Sequence, residues 1–472
     1  MVQGVSCEEG SYSVFRGIPY AKPPVGERRF APAEKAAPWE SVRSCSTFGP
    51  APVQPTFGKE GINMSEDCLY LNIYTPAKDP EEKLPVMFWI YGGGFTFGYS
   101  HEDMYHGGAI SKSGCVFVSI NYRTNIFGFF NTPELAEKNG GARCCGILDQ
   151  ILALEWVRDN ISGFGGDPDN VLIFGQSAGG LSTRMHLAGP LSQGLFAKAI
   201  VHSGGGLCEA DLVRSTDEFT DMCVRTLEYV GWSFEDVMTR PAQEVFDVMM
   251  KGVRDMMADG DLYYFQPFVD GFALTEVPGK AIHSGNYAKV PIMCGTVAGD
   301  SWMFSRKVRS LLEGDNEYFK GFALCPSIAW GRHNIKAGYP PIYSYYFDRP
   351  QPEDLFLSYT SHGEPPFGAD CKHGSELPYI FGTLDTMGIA YAGYDYELAE
   401  VMRSYWINFA KTGDPNGEGL AVWPLFEAGS ELSMHFGKDD VGAADLVCSE
   451  DLERVMRFSE DHPGMLCSLE GF

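Results

Sequence analysis

The first half of the chain alternates short apolar runs with longer segments of helical periodicity. Four runs are continuous or nearly so: Val86–Tyr91, Val116–Ile120, Val171–Phe174 and Ala199–Val201. Unbroken apolar runs of this length are typical of strands buried on both faces of a parallel sheet. Two later runs, Pro291–Cys294 and Ile342–Phe347, extend the pattern.

A helix is predicted between the second and third of these runs. Apolar residues recur there at intervals of three and four: Ile147, Ile151, Leu154, Val157 and Ile161. That spacing indicates an amphipathic helix, and Ser162-Gly163 marks its end. The alternation of strand and helix predicts an α/β fold with a central, mostly parallel twisted sheet flanked by helices.

The composition favours a single large unit. The 472 residues include 44% hydrophobic and 13% aromatic ones, enough to bury a large core. No internal repeat, low-complexity tract or Pro/Ser-rich linker divides the sequence. We therefore predict one domain over residues 1–472, with helical insertions at roughly 207–262 and 303–340.

A serine lies between two glycines directly after the third run, in the sequence Gly175-Gln176-Ser177-Ala178-Gly179. An apolar strand leads in, and a small-residue helix start leads out toward a Gly189-Pro190 stop. The pattern Gly-x-Ser-x-Gly is typical of a nucleophilic serine at a tight strand-to-helix turn, although the bare motif also occurs by chance. The flanking glycines let the strand and the helix approach closely.

Charge and cysteine content narrow the range of partners. With 62 acidic and 36 basic residues, the formal net charge is −26. Nucleic acids and anionic membranes bind basic patches, so neither is expected, and substrates should be neutral or cationic. The acidity is equally consistent with a role in solubility alone. Thirteen cysteines, without Cys-x-x-Cys or His-Glu-x-x-His, predict no metal site.

The chain is also expected to be soluble. No apolar stretch approaches the roughly 18 residues of a membrane span, and no basic-then-apolar leader is present. We predict a cytoplasmic protein, or a secreted one if a leader was removed.

A serine nucleophile needs a base, and the base needs an orienting acid. Around a Gly-x-Ser-x-Gly turn the chain order is serine, acid, histidine. Five histidines follow the plausible acids: His333, His362, His373, His435 and His462. His373 lies in a compact loop, but spacing alone does not favour it over His362.

Several ordered segments resemble the type-B carboxylesterase and cholinesterase family of α/β-hydrolases. They span nearly the whole chain: Phe15–Ala21, Pro23–Glu27, Ser65–Asn72, Phe164–Pro168, Trp406–Asn416 and Trp423-Pro424. The resemblance implies an α/β-hydrolase fold with Ser177 as nucleophile and His373, in its His-x-x-Glu-Leu context, as base. It implies Asp300 as acid, where most relatives carry glutamate, so the shorter side chain requires a closer imidazole or loop. Asp270 is the competing acid.

The tetrahedral intermediate of acyl transfer requires hydrogen-bond donors for its oxyanion. Gly92-Gly93-Gly94 follows an apolar strand, and its N–H groups have no side chains to obstruct them. In the resembling family, Gly93 and Gly94 together with Ala178 would form the oxyanion hole. Outside that context, three glycines are more often a flexible turn.

Further site residues follow from the same resemblance. Ser203 and Glu376 match positions that support the acid and the histidine loop, or they fill local polar gaps. Side chains flanking the motifs are candidates for a substrate pocket, or for core beneath it. These candidates are Thr96, Phe97, Leu181, Leu207, Trp302, Met303 and Phe304.

Departures from the family bear on substrate. Cholinesterases carry glutamate before the serine and a tryptophan in the loop between Cys45 and Cys68, whereas this chain has Gln176 and no tryptophan there. Both differences disfavour quaternary ammonium substrates. The short stretch from Asp300 to His373 suggests an open entrance. Cys45 and Cys68 match a disulfide of secreted relatives, which would remain as thiols in the cytoplasm.

The sequence thus predicts a serine carboxylesterase for neutral esters that acts through an acyl-serine. It needs no cofactor and is expected to be a monomer or weak homo-oligomer. A lipase or an amidase on the same triad is the alternative within enzymes. A catalytically silent, cholinesterase-like binding protein is the alternative from another class.

Overall fold

The computed structural model describes residues 1–56, 61–205, 213–256, 265–303, 316–352 and 371–446, apart from the side chains of 301–303, 316–323, 325 and 387. Within these ranges one sheet of eleven strands forms the centre of the molecule. In chain order, β1 to β11 are Val5–Cys7, Tyr12–Pro19, Tyr70–Thr75, Leu84–Ile90, Val116–Ile120, Gly166–Gln176, Lys198–His202, Ile292–Val297, Tyr343–Phe347, Ser433–Phe436 and Val441–Ala444.

The strands are ordered β11-β10-β9-β8-β7-β6-β4-β5-β3-β2-β1. The seven strands from β4 to β10 form the parallel part of the sheet. The remaining strands pair antiparallel at its two edges. Every residue of β5 and β7 is buried, as their unbroken apolar runs predicted. The predicted, mostly parallel sheet is therefore confirmed. A separate pair of short strands joins Val2–Gln3 to Arg43–Ser44.

Twelve α-helices accompany the strands in the described part of the chain. In chain order, α1 to α12 are Gly108–Lys112, Asn125–Gly128, Pro133–Asn139, Cys145–Asn160, Ala178–Ala188, Thr216–Val230, Phe234–Thr239, Ala242–Met256, Pro278–His283, Asn316–Ala337, Leu377–Phe381 and Gly393–Thr412. Helices α4, α5 and α12 pack against the central strands. None of the helices in these ranges is long and apolar enough to cross a membrane.

Helix α4 occupies the predicted position but is less amphipathic than its apolar spacing indicated. Two polar residues, Asp149 and Gln150, are fully buried among its apolar ones. Asp149 receives a bidentate ion pair from Arg123 at 2.7 and 2.8 Å. Gln150 bonds to His186 and Ser182 at 2.8 and 3.1 Å. Paired polar groups thus occupy positions at which periodicity predicts solvent.

The Arg123–Asp149 pair ties the segment after β5 to helix α4, and its loss should be costly. We expect Arg123→Met to destabilise the fold by about 3–5 kcal/mol, because Asp149 is left as a buried, uncompensated charge. Urea unfolding measures the difference. Arg158→Met, at the exposed end of the same helix, is the matched control and should change stability by less than about 1 kcal/mol. Equal effects of the two substitutions would contradict this account.

Candidate active site

The strand-to-helix turn after β6 holds Ser177 in a conformation that non-glycine residues rarely adopt, with φ 58° and ψ −122°. Its N–H donates to the carbonyl of His202 on β7 at 2.9 Å. Ser177 is only 8% exposed. A strained backbone maintained by its surroundings is typical of a functional residue.

The glycines around Ser177 are required by contact between backbones. A Cβ on Gly175 would lie 2.4 Å from the carbonyl of Gly179, and a Cβ on Gly179 would lie 2.0 Å from the carbonyl oxygen of Ile90. Both distances are far shorter than any real Cβ contact. The strand, the helix and the end of β4 therefore pack directly backbone against backbone, as the motif predicted.

The glycine loop after β4 faces the same turn. Gly93 and Gly94 have φ values of 106° and 60°, and a Cβ on Gly92 would lie 3.0 Å from Ser177 Cβ. The N–H groups of Gly93, Gly94 and Ala178 donate none of the hydrogen bonds formed within the described ranges. Within the described part of the chain these three donors are unused, and they lie on the two segments that meet at Gly92 and Ser177, as expected of an oxyanion hole.

Two side chains that the sequence did not single out anchor the glycine loop. Gln54 accepts from the N–H of Gly98 at 2.7 Å and donates to the carbonyl of Gly98 at 3.1 Å. Asn125 donates to the carbonyls of Thr96 and Val53 at 3.1 and 2.8 Å. Neither residue lies in a motif that signals this role, because the contacts bridge distant parts of the chain.

His373 and Asp300 form a close pair. His373 Nδ1 lies 2.6 Å from Asp300 Oδ1, and Asp300 Oδ2 accepts from the Val297 N–H at 3.0 Å and from the Thr296 hydroxyl. Burial favours a raised pKa for Asp300, but the charge of His373 and the hydrogen bonds from His373 and the Thr296 hydroxyl hold the pKa below its usual range. For His373, burial lowers the pKa, and the charge and hydrogen bond of Asp300 outweigh it, so the pKa is raised.

The competing acid, Asp270, has another role. Its Oδ2 accepts from the N–H of Cys144 at 2.9 Å, and its Oδ1 accepts from the N–H groups of Phe272 and Leu274, both at 2.9 Å. The carboxylate thus closes its own turn and fixes the start of helix α4. None of its hydrogen bonds within the described residues reaches a histidine.

The loop carrying Asp300 comes very close to the histidine loop at Gly299. A Cβ on Gly299 would lie 2.3 Å from the carbonyl oxygen of Cys371 and 3.0 Å from the Cα of Lys372. The missing side chain therefore lets two backbones meet next to the acid. A close approach of this kind is what the sequence predicted for an aspartate in place of glutamate.

The other ring nitrogen of His373 contacts the residue before the nucleophile. Gln176 Nε2 lies 2.9 Å from His373 Nε2. Hydrogen bonds formed within the described ranges do not include one between His373 and Ser177. In enzymes without substrate, the bond between nucleophile and base is often long or absent and tightens when substrate binds.

The remaining histidines considered from the sequence divide into two groups. His435 pairs with Asp348 at 2.8 Å on strand β10, and His333 stacks on His283 with ring centroids 4.9 Å apart. No serine turn accompanies either of these two pairs. His362 and His462 lie outside the described residues.

Ser203, which is partly buried, and Glu376, which is fully buried, both lie close to the pair. Ser203 follows strand β7 with φ 47°, and its N–H donates to the carbonyl of Gly295 at 2.8 Å. Glu376 is fully buried, and neither carboxylate oxygen has a hydrogen-bond partner in the described part of the chain. Its Oε1 lies 3.6 Å from His202 Nδ1. Burial, reinforced by the negative charge of Asp300, raises the pKa of Glu376 to about 8.

His202 lies buried beneath these groups. Its Nε2 accepts from the indole N–H of Trp406 at 3.1 Å, and its Nδ1 lies 3.0 Å from the hydroxyl of Tyr345. Because Trp406 can only donate, the proton of neutral His202 lies on Nδ1. Burial lowers the pKa of His202 to about 3, so the ring stays neutral.

The predicted pocket residues are described in part. Thr96, Phe97 and Leu181 are partly exposed beside the glycine loop and the serine turn. Trp302 and Met303 lie in the 3₁₀ helix Ala298–Met303 that carries Asp300, without described side chains. Leu207 and Phe304 lie outside the described residues. The assignment of all seven residues to a substrate pocket stays a prediction.

The possible disulfide is absent from the structure. Cys45 and Cys68 are both buried, and both are free thiols. Burial raises the pKa of both thiols, so both are poor nucleophiles. In the described ranges no group of three or more His, Cys, Asp or Glu side chains could hold a metal ion.

Comparisons with known proteins identify the family to which the chain is similar. The model of the carboxylesterase family matches residues 1–320 and 316–453. The para-nitrobenzyl esterase of Bacillus subtilis (strain 168) is 33% identical over 89% of this chain and 90% of its own. The fumonisin B1 esterase of Sphingopyxis macrogoltabida is 32% identical over 92% of this chain and 85% of its own.

A solved structure agrees with the sequence comparisons. A thermophilic PNB esterase superimposes with a TM-score of 0.81 at 30% identity, over 96% of this chain and 98% of that one. The predicted α/β-hydrolase fold is therefore confirmed.

The buried Glu376 carboxyl should make stability depend on pH. Its pKa rises from 4.5 in the unfolded chain to about 8 in the fold, so between these values the unfolded chain loses a proton that the fold retains. Stability should therefore fall as pH rises through this window, by at most about 1.4 kcal/mol per pH unit from this group. Glu376→Gln should remove that slope.

Urea unfolding of wild type and Glu376→Gln between about pH 5 and pH 8 measures this effect. The variant should gain stability over wild type as pH rises. Glu228→Gln, on the exposed face of α6, is the matched control. Parallel pH curves for wild type and Glu376→Gln would contradict a buried, protonated Glu376.

Proposed function

The chain belongs to the carboxylesterase family and is a carboxylic ester hydrolase, and we propose that it acts through an acyl-serine intermediate on Ser177. The observation that carries this proposal is the combination at the carboxyl edge of the sheet. Ser177 follows β6, unused backbone donors follow β4, and the His373–Asp300 pair connects the segments after β8 and β9. Ligands of parallel α/β sheets bind in this crevice.

Acylation begins with attack of Ser177 Oγ on the ester carbonyl carbon. A bond forms between them, the carbonyl π electrons move onto oxygen, and His373 Nε2 takes the serine proton. Asp300, 2.6 Å from Nδ1, keeps that nitrogen protonated, so Nε2 is the basic one in the neutral ring. Its negative charge also stabilises the imidazolium that forms.

The N–H groups of Gly93, Gly94 and Ala178 receive the negative charge that develops on the carbonyl oxygen. Fixed backbone donors need no reorganisation during the reaction, and one such donor is typically worth about 2.7–4 kcal/mol. Gln54 and Asn125 hold the loop through main-chain contacts. The donors are therefore preorganised.

Collapse of the tetrahedral intermediate completes acylation. The bond from carbon to the alcohol oxygen breaks, and the leaving oxygen takes the proton from His373 Nε2. A water molecule then attacks the acyl-serine, with His373 accepting its proton and returning one to Ser177 Oγ. The acid is released and the enzyme is regenerated without a cofactor.

Small neutral esters are the substrates that this site favours. Gln176 places an uncharged amide where cholinesterases carry a glutamate, so attraction for a cationic alcohol group is reduced. Two named relatives of this chain, a para-nitrobenzyl esterase and a fumonisin B1 esterase, are esterases by name. The amide of Gln176 supports uncharged substrates, and the relatives support ester hydrolysis.

The triad is tested by a series of substitutions assayed with a p-nitrophenyl ester. Ser177→Ala should retain only background turnover, because the nucleophile is lost. Asp300→Asn should lower kcat by roughly 10³- to 10⁴-fold, because the imidazole takes the wrong tautomer. Asp270→Asn is compared per folded molecule after its stability is measured, and should keep kcat within about tenfold of wild type.

Two results would reject this assignment. Appreciable turnover by Ser177→Ala would show that Ser177 is not the nucleophile. Ser162→Ala, at an exposed serine, is the matched control. A loss of kcat in Asp270→Asn that equals or exceeds the loss in Asp300→Asn would assign the role of the acid to Asp270 instead.

Gly299 should be needed because the acid is an aspartate. Gly299→Ala forces the acid loop away from Cys371, and a displacement of about 1 Å at a reacting group costs on the order of 10²-fold in rate. Adding Asp300→Glu to Gly299→Ala extends the carboxylate by one methylene toward His373. The double variant should therefore react at least about tenfold faster than Gly299→Ala.

The same p-nitrophenyl ester assay measures the rescue. Gly163→Ala, where a Cβ meets nothing within 4 Å, is the matched control. Failure of the double variant to exceed Gly299→Ala would show that reach is not what Gly299 provides.

A further inference from the structure

The basic nitrogen of His373 is already in contact with a neighbouring side chain. Gln176 Nε2 lies 2.9 Å from His373 Nε2, and Gln176 is only 5% exposed. The amide nitrogen of glutamine is a donor, and His373 Nδ1 uses its proton toward Asp300. The remaining lone pair on Nε2 is therefore the acceptor of this bond.

A lone pair on Nε2 serves a single strong donor at a time. Ser177 must direct its hydroxyl proton at the same lone pair before it can attack, since proton transfer requires hydrogen-bond contact. The Ser177 hydroxyl and the amide of the preceding residue, Gln176, therefore share one acceptor, the Nε2 lone pair of His373. Within the described residues, Ser177 makes no hydrogen bond to His373.

We propose that Gln176 is a positioning residue that occupies the Nε2 lone pair of His373 in the free enzyme and competes with Ser177 for it. The inference rests on the proposed function, because it assigns Nε2 as the atom that accepts the serine proton. While this hydrogen bond is in place, His373 cannot accept the Ser177 proton, and it becomes available when substrate binds at Ser177.

The amide also has to respond when the base is charged. An imidazolium Nε2 carries a proton and can only donate, so the Gln176 NH₂ group must turn away and present Oε1, or withdraw. The surroundings leave room for this, because two glycines border the amide. A Cβ on Gly92 would lie 3.0 Å from Oε1, and one on Gly374 would lie 3.5 Å from Nε2.

Three polar groups act on His373, and their positions distinguish the effect of Gln176 from the effects of the other two. Asp300 faces Nδ1 and favours the charged ring, whereas Glu376, at the start of helix α11, adds to this effect only when it ionises at a pH of about 8. Of these three groups, only Gln176 faces Nε2, and it carries no charge. A donor aimed at the neutral ring favours the neutral base, so its removal should shift the pH profile toward higher pH.

The test uses Gln176→Met, which keeps length and removes the donor, and Gln176→Glu, which keeps shape and adds charge. Ser177 is labelled by a neutral organophosphate ester, and the second-order rate constant is measured across pH. Gln176→Met should react roughly two- to tenfold faster on the high-pH plateau, the factor expected for losing one competing hydrogen bond. Its acid limb should also move to higher pH.

Gln176→Glu should move the acid limb further in the same direction, because a carboxylate beside Nε2 stabilises the imidazolium. This variant keeps the proposal testable if Gln176→Met folds poorly. Gln243→Met, on the exposed face of helix α8, is the matched control and should label at the wild-type rate.

The outcomes separate the two proposals. A plateau rate that falls or stays unchanged in Gln176→Met, with an unmoved acid limb in Gln176→Glu, overturns competition while labelling of Ser177 persists. Wild-type protein that is not labelled at Ser177 overturns the proposed function itself, and this inference with it.

Discussion

The close contact between backbones at the serine turn is the constraint on which the site depends. Strand β6, helix α5 and the end of β4 meet at Gly175, Gly179 and Ile90 at distances that exclude any side chain. This contact brings the nucleophile and the glycine loop together, because both follow adjacent parallel strands. A larger residue at either glycine would push apart the strands and the helix that hold Ser177 next to the glycine loop.

The parallel sheet extends that constraint to the rest of the site. Strands β4, β6, β7, β8 and β9 end at one edge. Ser203 therefore follows β7, the neighbour of the strand that leads into Ser177, and Asp300 follows β8, the next strand along. Below them, His202 links β7 to Trp406 of α12 and Tyr345 of β9 through its two ring nitrogens. The buried, neutral ring thus ties three elements together beneath the charged pair.

Local patterns and family resemblance predicted most of this arrangement, and the exceptions have physical causes. Unbroken apolar runs predicted the central strands, and Gly-x-Ser-x-Gly predicted the turn, because both depend on neighbouring residues. The burial of Asp149 and Gln150 was missed because their partners, Arg123 and His186, are 26 and 36 residues away. Gln54 and Asn125 were missed for the same reason. Such contacts exist only once the sheet has formed.

The departures of this chain from its relatives converge on one imidazole. At Nδ1, His373 meets an aspartate where most relatives carry glutamate, and Gly299 allows the closer loop that the shorter acid needs. At Nε2 it meets the neutral amide of Gln176 where cholinesterases place a carboxylate. Charge therefore supports the imidazolium directly from the Nδ1 side, while the Nε2 side favours the neutral ring. This balance supports the proposal that the substrates carry no positive charge of their own, because an uncharged amide lies beside the base where cholinesterases place a carboxylate.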